Sequence, residues 1–305
     1  FKSHWTYGTL VRNSLDLRQP LARALYLLVQ QKGTHRPAWN RVFAALARRD
    51  APTLASGWRL LAFRGQKSLS PEDELYDKIF AFSLSCQVNV TMRENDLTLD
   101  EAAFSSVCIV AEHAASAVQS FFRTHQYRKD HTGGVITRLT EKADKTFREA
   151  PAWMKEQFWT LTEGARDLMS TGSETEDTLD LPRLYVVPRP SLLHAYIRVL
   201  GLFRDYDGLV ELVQWMVRNQ HELTKRRAMD RRGRLLMRRA LIALRVFVED
   251  SWDPVDIEHD EGEFAVTASV EQIEEIRRLV DSVKHWGGWP SDEEVEMYVE
   301  YGRGG

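Results

Sequence analysis

The sequence predicts an all-α protein, and more specifically an α-solenoid, a superhelix of stacked helical hairpins. Apolar residues recur at spacings of three and four along most of the chain, which is the period of an α-helix. Turn residues separate these segments, and part of the N-terminal region repeats itself. With 305 residues, of which 43% are hydrophobic, the chain is long enough to bury a substantial core as one array or as two domains.

The internal repeat lies near the N-terminus and has a period of about 32 residues. Each copy is predicted to form a helix, a short turn and a second helix, and Pro20 and Pro52 stand near the starts of the second helices. The matched residues are Tyr7 with Trp39, Leu10 with Val42, Tyr26 with Trp58, and Gly33 with Gly65. The glycine closes each copy at the position where a helix C-cap belongs.

Further helices are predicted before an acidic linker. They run from Pro71 to about Cys86 and from Asp100 to Phe122, and a later one includes Trp153 to Met169. A polar loop is predicted at 124–134, because this stretch ends in a Gly-Gly pair. Residues 170–181 are mostly small, polar or acidic, so we predict a linker there between an N-terminal repeat region, 1–169, and a C-terminal helical region, 182–305.

The C-terminal region contains the clearest hairpin. Residues 190–219 form two amphipathic segments separated by Arg204-Asp205-Tyr206-Asp207, with apolar residues at helical spacing on both sides. Beyond the hairpin the sequence predicts a long helix at about 222–249, an acidic loop, a helix at about 270–285, and a short helix after Pro290.

Composition limits the compartment and the partners. Cys86 and Cys108 are the only cysteines, which excludes a disulfide framework and favours a reducing, intracellular compartment. No stretch reaches the roughly 20 apolar residues of a membrane span, so we expect a soluble protein. The formal net charge of -3 gives no global attraction to nucleic acid, although the charges are segregated along the chain. Because the chain begins at Phe1 rather than Met, we expect that a preceding segment has been removed.

The strongest charge feature is a basic helix in which cations far outnumber Glu222 and Asp230. One row of its arginines lies opposite the apolar face on a helical wheel. This arginine stripe consists of Arg227, Arg231, Arg234, Arg238 and Arg245. A guanidinium fork suits phosphate and carboxylate equally, so the stripe either contacts a phosphate backbone or pairs with the acidic segment from Asp253 to Glu263. We give the two interpretations equal weight.

Motifs for metal binding and catalysis are missing from the sequence. The segment from Asp256 to Gly262 is only superficially similar to a calcium loop, because its glycine is seventh and Thr267 stands where a bidentate Glu belongs. His125 and His131 have no zinc-site spacing. We find no phosphate loop, dinucleotide fingerprint or nucleophile elbow. The sequence therefore predicts a protein that is not an enzyme, with no cofactor and no evident small-molecule substrate.

The aromatic residues allow two interpretations. Trp5, Tyr7, Trp39, Trp58 and Trp215 could stack on unpaired bases. They recur at equivalent hairpin positions, however, which is what packing between helices requires. We therefore expect them in the core.

The hairpin segments resemble pentatricopeptide repeat proteins. LLHAYIRVLG followed by DGLVELVQWM is similar to that family's unit, in which an aromatic or apolar residue opens the first helix and a leucine-rich second helix ends in Met. TYGTLVRNSL followed by LARALYLLVQQKG is similar as well. Tetratricopeptide and related hairpins share the same apolar spacing.

The resemblance implies RNA binding in an organelle, with one base read per repeat by a polar residue early in the first helix and another at the repeat's end. The early position falls on Thr9, Arg41 and Ser106 in three units and on Ala195 in the later hairpin. The repeat ends at His35 or Arg36 carry no acidic or amide residue.

We therefore expect a non-catalytic binding protein. The first interpretation is single-stranded RNA binding in mitochondrial RNA metabolism or translation, with the arginine stripe on phosphates and a few polar side chains near bases. The alternative is a protein scaffold or assembly factor whose helical groove holds a partner helix or an acidic peptide. An exposed stripe favours RNA, and a stripe neutralised within the chain weakens that interpretation.

Overall fold

The computed structural model describes residues 36–47, 71–94, 96–126, 135–164, 186–225, 231–249 and 267–303. All regular elements within these ranges are helices, which confirms the predicted all-α class. Among them, no helix is long and apolar enough to cross a membrane. The second helices of the two N-terminal repeat copies lie outside the described residues, so the repeat itself stays a prediction.

The described ranges contain ten α-helices and one 3-10 helix at Lys284–Trp286. The α-helices are α1 Arg36–Ala47, α2 Pro71–Arg93, α3 Glu101–Gln126, α4 Val135–Glu163, α5 Pro190–Leu202, α6 Tyr206–Arg218, α7 Gln220–Lys225, α8 Arg231–Val248, α9 Val270–Ser282 and α10 Asp292–Arg303. The chain divides into two compact units, Phe1–Ala150 and Pro151–Gly305, and the division falls inside α4. The linker predicted at 170–181 lies outside the described residues, so the predicted domain bounds stay predictions.

In the first unit, α1, α2 and α3 pack against one another. The apolar stripe of α3 is buried, as its spacing predicted; its members include Phe104, Val107, Cys108, Ala111, Ala115 and Val118. Asp100 caps α3 by accepting a hydrogen bond from the backbone N–H of Ala103 at 2.9 Å. Its other oxygen accepts a bond from Asn40 of α1 at 2.7 Å. One carboxylate thus fixes both the start of α3 and its contact with α1.

Helix bounds differ from the predicted ones at several ends. α2 continues to Arg93 because Val88 and Met92 extend its buried face beyond Cys86. α3 continues to Gln126, so the predicted loop begins later than Thr124. α4 ends at Glu163, where Gly164 takes a positive φ of 80°, a conformation that glycine adopts at helix ends without steric cost.

The hairpin predicted at 190–219 is present as α5 and α6. Asp205 caps α6 by accepting a hydrogen bond from the backbone N–H of Gly208 at 2.9 Å. The apolar residues on which the prediction depended are all buried: Leu193, Ile197, Leu200, Leu209, Leu212 and Met216. Phe158 of α4 packs on this pair, with ring centroids 4.5 Å from Tyr196 and 5.3 Å from Trp215.

The second unit is built around the contact between α5 and α8. The two helices approach closely at Gly201, where an added Cβ would lie 2.2 Å from Cγ of Phe247. α9 packs on α6, and Gln214 there donates to Glu275 at 2.7 Å. α10 packs on α8 and is reached through the 3-10 helix and Gly287-Gly288, whose positive φ values turn the chain. The turn brings the chain back, so that the acidic helix α10 packs against the basic helix α8.

Candidate nucleic-acid interface

The described part of the arginine stripe lies on α8, a helix packed against the core. Its apolar side chains repeat at three- and four-residue spacing, and Met237, Leu241 and Leu244 are buried. The helix contains arginines and no acidic residue. The guanidinium groups are therefore held by a helix whose opposite face is packed into the core.

The structure divides the stripe into two halves. Arg231 and Arg234, near the start of α8, are exposed, whereas Arg238 and Arg245 are half-buried. Arg232, which the sequence analysis did not place in the stripe, is exposed beside them. Within the part of the chain that the structure describes, Arg231, Arg232 and Arg234 form no ion pair. Arg227 lies outside the described residues.

Arg238 is engaged by the N-terminal turn of α10. Its Nε and Nη2 donate to the two carboxylate oxygens of Glu294 at 2.8 and 2.6 Å, a bidentate pair. Its Nη1 donates to the carbonyl of Gly288 at 2.6 Å. The hydrogen bonds from Arg238 lower the pKa of Glu294 from 4.5 to about 2.

Arg245, two turns beyond, is engaged by two different carboxylates. Its Nε donates to Glu249 at 2.7 Å, its Nη1 donates to the carbonyl of Pro290 at 2.6 Å, and its Nη2 pairs with Asp292. Burial opposes the charge of this guanidinium, but hydrogen bonds to Glu249 and Asp292 outweigh it and raise the pKa of Arg245. Glu249 also accepts the indole N–H of Trp289 at 3.2 Å.

The acidic partners of the stripe therefore include residues that the sequence analysis did not consider. The acidic segment from Asp253 to Glu263, the partner considered in one of the two interpretations of the stripe, lies outside the described residues. The partners seen here are Glu249, Asp292 and Glu294. The sequence held one signal for them, since Ser291-Asp292-Glu293-Glu294 is a capping box with an acidic first turn, but the fold alone brings it to α8.

A polar cluster around Tyr298 also holds α10 in place. The Tyr298 hydroxyl lies 2.9 Å from Nε2 of His194 and accepts from Arg198 at 3.0 Å, and both of these residues belong to α5. The guanidinium of Arg239 lies 5.7 Å from the centre of the Tyr298 ring. Burial, together with the charges of Arg198 and Arg239, lowers the pKa of His194 to about 3, so its imidazole is neutral near pH 7 and shares a hydrogen bond with the tyrosine hydroxyl.

The Arg238–Glu294 pair predicts a pH-dependent contribution to stability. Because the pKa of Glu294 is lowered on folding, this contribution is present above pH 4.5 and is lost as the pH falls toward 2. We expect the free energy of unfolding of the wild type to exceed that of Glu294→Gln at pH 7, and the difference to shrink between pH 4.5 and 2.5. Urea denaturation at several pH values across this range measures the difference in unfolding free energy. Glu296→Gln, at an exposed position of the same helix, is the control, and an equal loss in both variants would contradict the assignment.

The other predicted RNA-binding residues lie elsewhere in the chain. Arg41 is half-buried on α1 and has an interaction partner within the protein. Ser106 is half-buried on α3, and its hydroxyl donates to the carbonyl of Ala102 at 3.1 Å. That hydroxyl keeps its capacity to accept a hydrogen bond. Thr9 lies outside the described residues, so the base-reading role of all three stays a prediction.

The two cysteines lie on packed helix faces. Cys108 is buried and Cys86 is half-buried, and burial raises the pKa of both thiols, that of Cys86 to about 12. Among the described residues, no group of His, Cys, Asp and Glu side chains could hold a metal ion. The calcium-like segment at 256–262 and the pair of His125 and His131 lie outside these residues.

The aromatic residues that the sequence analysis weighed as stacking platforms are core residues wherever the structure describes them. Trp39 and Trp215 are buried, which confirms the packing interpretation for both. Trp5, Tyr7 and Trp58 lie outside the described residues. Any contact of RNA with the exposed arginines would therefore be made without these two indole rings.

Comparisons with family models, with curated proteins and with solved structures found no significant match. The fold and the surface together define the class of the protein as all-helical with a basic surface helix.

Proposed function

We propose that this protein is a non-catalytic binding protein that holds single-stranded RNA, with the exposed half of the arginine stripe on the phosphates. The observation that best supports this proposal is at the start of α8. Arg231, Arg232 and Arg234 are exposed there, on a helix that has no acidic residue. Arginine forks match phosphate geometry, and a rigid helix spaces them at fixed intervals. Such a surface supplies affinity that depends on salt rather than on sequence.

The proposed architecture is an α-solenoid of degenerate hairpins, and the proposed setting is the mitochondrion. The α5–α6 hairpin and the mutual packing of α1, α2 and α3 support the first part. The proposed mitochondrial location rests on the resemblance to pentatricopeptide repeat proteins. Imaging of the tagged full-length protein against a mitochondrial marker tests it, and a cytosolic signal would reject the setting but not RNA binding.

The initial contact surface is smaller than the sequence suggested. Arg238 and Arg245 already donate to carboxylates, so we leave them out of the first contact. Arg239 is exposed two turns beyond Arg232, with its guanidinium 5.7 Å from the centre of the Tyr298 ring, and it extends the surface on the side of Arg232. Arg227, Thr9, Arg41 and Ser106 remain candidate RNA contacts.

Binding of a labelled, mixed-sequence single-stranded RNA should weaken steeply with salt. Four arginine contacts predict a slope of about -3 in a plot of log affinity against log salt, because each neutralised phosphate of a single strand contributes about -0.7. Fluorescence anisotropy between about 50 and about 200 mM salt measures this slope. No binding at the lower salt concentration would reject the proposed function.

A protein scaffold is the second candidate. The favouring observation is Leu235, which is 64% exposed amid the arginines. An exposed leucine beside guanidinium groups suits an acidic amphipathic helix better than it suits a sugar-phosphate backbone. Absence of RNA binding, together with capture of an acidic helical peptide that Leu235→Ala abolishes, would favour this function.

A further inference from the structure

We propose that α10 is an internal anionic ligand of the arginine stripe, and that RNA displaces it to reach Arg238 and Arg245. This inference rests on the proposed RNA-binding function. It adds two phosphate-binding residues to the same site and gives the site a means of regulation.

The stripe is continuous along α8, and α10 covers only part of it. Arg231, Arg234, Arg238 and Arg245 follow one another at helical spacing and so share one face of the helix. The first two are exposed, and the last two meet Glu294 and Asp292. A strand bound to the exposed half would therefore run toward the arginines that α10 occupies.

The carboxylates of α10 occupy the stripe as phosphate oxygens would. Glu294 presents both oxygens to Arg238 at 2.8 and 2.6 Å, which is the fork geometry that a phosphate also satisfies. Asp292 accepts a single hydrogen bond from Nη2 of Arg245, whose Nε stays bonded to Glu249 at the end of α8. Displacement exchanges one anion for another, so neither half-buried guanidinium is left without a partner.

α10 is held chiefly by polar groups, which makes its displacement feasible. Among its described side chains, Val295 and Tyr298 are the buried ones, at 8% and 9% exposure, whereas Met297 is 53% exposed. α5, in contrast, buries Leu193 and Ile197 completely. The ion pairs that hold α10 are partly exposed and therefore weakened by salt, and the helix buries few apolar side chains, so α10 should be among the first elements of this unit to open.

The test is a pair of double variants with equal changes of charge. Asp292→Asn with Glu294→Gln weakens the contact with the stripe but keeps the capping box, because Gln also serves at that position. Glu296→Gln with Glu300→Gln removes two carboxylates from exposed positions of the same helix. We expect the first pair to raise affinity for single-stranded RNA about tenfold, since a larger fraction of molecules is competent to bind, and the second pair to raise it less than threefold.

Hydrogen exchange provides a readout that does not depend on the variants. On adding RNA to the wild type, the backbone amides of α10 should exchange faster while those of α6 do not. Equal affinity of the two double variants, or slower exchange in α10, would overturn the inference and leave the proposed function standing. No RNA binding by the wild type or either variant would reject both proposals.

Discussion

Gly201→Ala should lower the free energy of unfolding by about 2 kcal/mol, although the same change in an exposed helix interior raises it by about 1 kcal/mol. The reversal follows from the contact between α5 and α8. An added Cβ would lie 2.2 Å from Cγ and 2.7 Å from Cβ of Phe247, distances that require a shift. Phe247 is 5% exposed and packed within the core, so relief requires the two helices to separate. Urea denaturation followed by circular dichroism measures the loss.

A double-mutant cycle identifies the cause. In a Phe247→Ala background the ring atoms at 2.2 and 2.6 Å are gone and only the contact with Cβ at 2.7 Å remains, so Gly201→Ala should destabilise clearly less there, and the two changes should be coupled. Sodium sulfate, added equally to all four proteins, keeps the weakened background folded. An equal destabilisation by Gly201→Ala in both backgrounds would show that the ring of Phe247 is not what demands a glycine.

The helices of this protein could be predicted because their signals are local. The stripe of α3 and the two halves of the α5–α6 hairpin follow from apolar spacing within single segments. α2 extends beyond its predicted end at Cys86, because Val88 and Met92 continue the same buried face. Gly201 was not singled out, because its role depends on a residue of another helix.

The candidate site could be predicted only in part, because its pairings join residues of different helices. A helical wheel placed the arginines on one face, and the exposure of Arg231 and Arg234 agrees with that placement. The pairing of Arg238 with Glu294 joins residues far apart in the chain, and sequence proximity pointed instead to the nearer acidic segment. The turn at Gly287 and Gly288 that brings α10 back to α8 has no signature in the charge pattern.

Replacing Arg231 and Arg234 with Ala together should weaken RNA binding about 30-fold, if each exposed guanidinium contributes about 1 kcal/mol to a phosphate contact. The salt slope should become shallower by about 1.4, because two phosphate contacts are lost. Both side chains are exposed and form no ion pair among the described residues, so the folded state should be little affected. Arg238 is left in place because its removal would break the contact with Glu294 and mix stability with affinity.

Arg277→Ala with Arg278→Ala is the matched control for that double variant. It removes the same charge from exposed positions of α9, outside the stripe, so it changes the overall attraction of the protein for a polyanion by the same amount. We expect it to weaken binding less than threefold and to leave the salt slope nearly unchanged, because long-range attraction is screened at these salt concentrations. Equal losses in the two double variants would mean that RNA senses only net charge. A loss of RNA affinity in the Arg231/Arg234 double variant alone would indicate that the phosphates bind to α8.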